Sequence, residues 1–99
     1  MPYEILIHEL AAEEVERLPT FQQRRIIESI EQQLSLEPSG PTRRRKCLLG
    51  LAPSFEHVLP VWQLRVGDYR IFYDVDETKQ LVNIRAIRRK GTQQTEDIT

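Results

Sequence analysis

Cysteine is almost absent from this chain: Cys47 is the only one in 99 residues. That excludes an intrachain disulfide and any metal cluster built on paired thiolates, and leaves Cys47 as a free thiol expected in the interior. Long apolar runs are missing as well. A helix that crosses a bilayer needs about 20 mostly apolar residues in succession, and no stretch comes close, so no membrane association is expected. The opening Met1-Pro2-Tyr3-Glu4 has no basic stretch leading into an apolar one, which is the pattern of a secretory signal. The expected location is therefore the cytoplasm. No repeat, low-complexity tract or metal-ligand spacing is visible, and neither a metal nor another cofactor is expected.

With 39% hydrophobic and 29% charged residues the chain is too apolar to be disordered. Its length suffices for one modest core, so residues 1–99 are expected to form one domain, with 91–99 a loose polar tail. The formal net charge of -1 conceals a segregation. Residues 1–39 carry eight acidic and three basic side chains, whereas residues 40–91 carry five acidic and eleven basic ones. Such asymmetry suits a fold with one half turned towards an anionic partner, or simply a dipolar soluble surface.

Tyr3 to His8 has strand composition. From Glu9 to Leu18 the apolar residues Ala11, Val15 and Leu18 recur at helical spacing, and Pro19 ends that helix. Thr20 followed by Gln23 reads as a capping box opening a second helix to about Leu36, with Ile26 or Ile27, Ile30 and Leu34 as its buried stripe. Glu37 to Pro41 is a turn cluster that closes the helical half. Beyond it the period becomes two, with strands expected at Arg45–Leu49, Val61–Val66, Tyr69–Val75 and Leu81–Arg88, and a loop from Gly50 to Pro60. The order is not a repeating βαβ pattern. It predicts an α+β fold: an N-terminal strand and a helical hairpin packed on one face of a mainly antiparallel, roughly four-stranded sheet, the other face being free to work.

Gly67-Asp68, between two strands, suits a two-residue type II′ turn. That turn fixes the register, so Val66 faces Tyr69, Arg65 faces Arg70, Leu64 faces Ile71 and Gln63 faces Phe72. Trp62, Leu64, Val66, Tyr69, Ile71, Tyr73 and Val75 then share the helix-covered face; Gln63, Arg65, Arg70 and Phe72 share the other. Like charges directly opposite one another are unfavourable by a few tenths to about 1 kcal/mol. Either the two guanidiniums form a fork for phosphate or carboxylate oxygens, or they are bound by Asp74, Asp68 or another carboxylate of the fold. Flanking basic clusters favour a polyanion: Arg43, Arg44, Arg45 and Lys46 precede the sheet, and Arg85, Arg88, Arg89 and Lys90 end it.

The stretch Trp62 to Tyr73, ending Gly67-Asp68-Tyr69-Arg70-Ile71-Phe72-Tyr73, resembles the hairpin of the RelE/ParE toxins. Lys46-Cys47-Leu48-Leu49-Gly50 is similar to a passage before it, and Val82 to Lys90 to the last central strand, so the resemblance spans nearly the whole chain. It implies the toxin of a type II toxin-antitoxin system, with a small cognate antitoxin as partner. The target it implies is mRNA on the ribosome, cut by a metal-independent endoribonuclease, or DNA gyrase in the ParE branch. A binding protein with weak or no nuclease activity is the alternative. Carried over by position, Arg70 and Arg65 would contact phosphate, and Arg43, Arg44, Arg45, Lys46, Arg85, Arg88, Arg89 and Lys90 would bind nucleic acid. Nuclease relatives place lysines where this chain has Val61 and Gln63, and a tyrosine or histidine near the end, where it has Gln93, Gln94, Thr95 and Glu96. His57 is a candidate proton shuttle; Glu56, Asp74 and Glu96 are candidate bases between which spacing does not choose.

Overall fold

The computed structural model describes residues 2–50 and 53–89. The elements run β1 (Glu4–Ile7), α1 (Glu9–Glu16), α2 (Thr20–Leu34), β2 (Arg45–Cys47), β3 (Trp62–Val66), β4 (Tyr69–Asp76) and β5 (Leu81–Arg89). Among the described residues they form an α+β fold whose sheet has five strands in the order β1-β5-β4-β3-β2. The count exceeds the four expected because the N-terminal strand joins the sheet: β1 lies parallel to β5, with Glu4 beside Leu81 and Ile7 beside Ile84. All other neighbours are antiparallel. Residue periodicity reports which face a side chain takes but not which strand lies alongside, so this long-range pairing left no local trace.

The helical hairpin covers one face of the sheet. Ala11, Val15, Ile26, Ile30 and Leu34 meet Trp62, Leu64, Val66, Tyr69, Ile71, Tyr73, Val82, Ile84 and Ile87 in one core. The type II′ turn is in place, with Gly67 at φ +56 and the register Arg65↔Arg70 and Leu64↔Ile71. Tyr73 is fully buried, and its hydroxyl donates to the Pro38 carbonyl at 2.8 Å. Burial pushes its pKa well up, so it stays a neutral donor tying the core to the turn after α2. The capping box does not form: α2 begins after Pro19 without a side-chain cap, and Gln23 instead donates to the Leu18 carbonyl at 2.8 Å. It thereby serves carbonyls that the end of α1 leaves unpaired. Leu64 is fully buried while Arg65 is exposed, which is the face assignment the alternation predicts. Leu64→Ala should destabilise the protein by about 2–5 kcal/mol, read as a lowered melting temperature.

The opposite face is not bare. Phe55 and Val61, flanking the segment before β3, pack with Phe72 and Ala86 into a second, smaller core, and the Phe55 and Phe72 rings are 5.7 Å apart. Part of the face expected to be free is therefore roofed, which explains an aromatic at position 72 facing away from the helices. One irregularity organises the rest. The β4–β5 register steps from Phe72↔Ala86 to Tyr73↔Ile84, leaving Arg85 as the extra residue of a bulge. A bulge inverts the alternation beyond it. Val82 and Ile84 face the helices, and beyond the bulge it is Ile87 that does so, while Ala86 and Arg88 turn to the second face.

Candidate nucleic-acid interface

Because of that bulge, three arginines stand side by side on the second face. Arg65 of β3 is paired with Arg70 of β4, and Arg70 with Arg88 of β5. Arg65 is exposed and Arg70 half-buried. Among the described residues neither makes an ion pair; Arg65 Nη2 donates weakly to the Arg43 carbonyl at 3.4 Å. Arg88 differs, for it is paired with Glu14 of α1 and its guanidinium lies over the Phe55 ring, 5.8 Å from the centroid. Glu14 also accepts from the Ile87 amide at 2.7 Å, closing the edge of β5 that β1 is too short to cover.

The basic run before β2 extends this row in part. Arg43, Arg44 and Lys46 are exposed, and the Arg44 carbonyl accepts from the Arg65 amide at 2.7 Å. Arg45 turns inward, as its register opposite Leu64 requires. Only 7% exposed, it donates to the carbonyls of Gln33, at 2.8 Å, and Glu37. A cation there meets carbonyls that the end of α2 leaves free and the negative end of its dipole. Arg45 thus sits inside the fold rather than on the interface.

Arg85 is likewise internal, 8% exposed. Its Nε lies 2.7 Å from Asp74 Oδ2, and that same oxygen accepts from the Val58 amide at 2.9 Å. Asn83 Nδ2 donates to Asp74 Oδ1 at 3.0 Å. The Asn83 oxygen is then the acceptor for His8 Nε2 at 2.9 Å, which makes His8 the Nε2–H tautomer and leaves Nδ1 to face Arg85 Nη1 at 3.4 Å. The four side chains close a ring, and Asp74 is spent within it. It is available neither to Arg65 or Arg70 nor as a base.

His57 is half-buried, with Nδ1 2.8 Å from the Phe55 carbonyl. A carbonyl only accepts, so Nδ1 carries the proton and Nε2 is the ring's basic atom. Glu56 is solvent-exposed, 3.7 Å from Arg85. Arg89 is exposed at the helix-side end of β5, where it lines a cavity with Glu14, Leu18, Gln22 and Tyr69. Lys90, Glu96 and the expected tail lie outside the described residues. Arg25 of α2, which the sequence pattern did not single out, sits against the Gly67 turn.

The sequence model of the ParE toxin of type II toxin-antitoxin systems (parDE) matches residues 5–93. The chain belongs to the ParE toxin family. Two solved structures place this ParE-family toxin among its structural relatives. The archaeal RelE–RelB complex from Pyrococcus horikoshii is 26% identical over 94% of this chain and 100% of the other, with a TM-score of 0.72. The RelBE2 toxin-antitoxin complex from Mycobacterium tuberculosis, 24% identical over 91% and 93%, shares the fold with a TM-score of 0.71. No curated protein is matched by sequence. No described helix of the toxin is long and apolar enough to cross a membrane.

Proposed function

We propose that this toxin acts on a phosphodiester backbone through the row Arg65, Arg70 and Arg88, with mRNA on the ribosome as its substrate. The observation that carries this is the row itself: two adjacent guanidiniums without an ion pair among the described residues, on a sheet face where the buried carboxylate of Asp74 is already bound. Neighbouring forks suit phosphate oxygens. Cleavage would proceed by in-line attack of a ribose 2′-hydroxyl on the adjacent phosphorus. The bond to the 5′ oxygen breaks, giving a 2′,3′-cyclic phosphate and a 5′-hydroxyl. Arg70 and Arg65 stabilise the charge on the pentacoordinate phosphorus, and His57 Nε2 is the available proton acceptor. No step needs a metal. A small cognate antitoxin would neutralise the toxin, in keeping with the RelE–RelB pairing of the archaeal relative. An acidic or amphipathic segment laid over the basic face, or a strand added at an outer edge of β1 or β2, would serve.

Action on DNA gyrase is the second reading, favoured by one feature. The positions flanking Arg70 on this face, Gln63, Phe72 and Ala86, carry no group that exchanges a proton. Induced expression separates the two. Arrested translation with new 2′,3′-cyclic phosphate ends inside ribosome-bound messages is expected. Intact mRNA with accumulating DNA breaks would move the assignment to gyrase, and harmless expression would remove both.

A further inference from the structure

A second group of arginines converges where β3 turns into β4. Arg25 and Ser29 of α2, Arg44 ahead of β2, and Arg65 with Val66 and Gly67 line a cavity of about 230 Å³. The three guanidiniums come from three separate stretches of chain, and none of them has a carboxylate partner among the described residues. The backbones that carry them are placed by the fold. Arg65 and Arg44 are tied through the backbone bond between them at 2.7 Å. Arg25 lies against the turn so closely that a Cβ at position 67 would stand 2.8 Å from both its terminal nitrogens. Gly67 thus serves two needs, the positive φ of the turn and room for the guanidinium.

Three like charges around one small cavity repel one another when it is empty, so the arrangement suits a bound anion. The geometry distinguishes between anions. The two coplanar oxygens of a carboxylate are met by one guanidinium fork, whereas a phosphate offers acceptors in several directions and can engage forks arriving from several sides. Arg65 belongs both to this cavity and to the row on the sheet face. Since Arg65 faces Arg70 and also lines the cavity, a nucleic-acid strand with a phosphate at Arg70 that continued past Arg65 would pass this cavity.

We propose that Arg25, Arg44 and Arg65, with the Ser29 hydroxyl, form a second phosphate site that holds the backbone next to the phosphate at Arg70, an inference that rests on the nucleic-acid reading of the row. The test uses the full chain and a single-stranded RNA with 2′-O-methyl riboses, which cannot be cut, with affinity measured across a salt series. Removing one cation that neutralises a phosphate of a single strand lowers the salt slope by about 0.7, which at 0.15 M salt is about fourfold in affinity. Arg25→Ala and Arg44→Ala should each show that change at an unaltered melting temperature, and Arg25→Lys should restore most of the slope. Both residues are exposed, so neither alanine should unfold the protein. Wild-type affinity and slope in both alanine variants would overturn the site. So would unchanged RNA binding with weakened binding of the co-encoded antitoxin, which would assign the cavity to carboxylates. Arg70→Ala in the same series keeps the two ideas apart: if it alone weakens RNA binding, the cavity fails and the row stands, and if it alone does not, the row fails.

Discussion

Asp74→Ala should cost the fold about 3–5 kcal/mol, because it leaves the Arg85 guanidinium buried without its counter-charge. Asp74 is 1% exposed and Arg85 8%. The carboxylate accepts from Arg85, Asn83 and the Val58 amide, so one substitution strips partners from β5 and from the segment that roofs the second face. Glu56, exposed and 3.7 Å from Arg85, is too well solvated to replace it. In a domain of this length about 1 kcal/mol moves the melting temperature by 4–8 °C, so a fall of at least about 12 °C is expected. The control has an opposite sign. Adding Arg85→Met to Asp74→Ala should recover much of the loss, since removing both charges is far milder than orphaning one. A single variant that melts with the wild type, or a double variant no better than the single, would show that the pair does not anchor the fold.

The same pair shows where sequence reading stops. Arg85, Arg88 and Arg89 form one basic cluster in the sequence, yet Arg85 is inside, Arg88 is on the sheet face and Arg89 is at its end. Strict alternation would have turned Arg88 towards the helices. The sign of the bulge was present in the spacing of Val82, Ile84 and Ile87, two residues and then three, but nothing local says that Asp74 is the carboxylate waiting for Arg85. Arg45 was more legible. Alternation through β2 puts Arg45 and Cys47 on the face of Leu64 and Trp62, separating one arginine from a run that looks uniformly solvated. The hairpin register, the two helices and the core face followed from turn chemistry and periodicity, which are local. The pairing of β1 with β5, the roof of Phe55 and Val61, and the approach of Arg25 to Gly67 depend on contacts between distant segments.

Arg70→Ala should abolish toxicity while leaving the protein as stable as before or slightly more so, and the combination is what makes the result informative. Arg70 has an arginine opposite it on each side. Arg88 is balanced by Glu14, but the like-charge pair with Arg65 is unfavourable by a few tenths to about 1 kcal/mol, so alanine relieves that repulsion while giving up some packing of a half-buried stem. A residue kept for stability would not behave so; one kept for a ligand would. If Arg70 meets the charge that develops on phosphorus, its removal should slow cleavage by roughly 10²–10³-fold, as for other donors aimed at a developing oxyanion. Arg70→Lys keeps the charge but loses the planar fork and should fall between the two. Growth after induction, cleavage of a model message and thermal melting, taken on the same variants, check all three expectations. Full toxicity and unchanged RNA affinity in Arg70→Ala would take the working site away from the hairpin and direct attention to Arg43, Arg44 and Lys46.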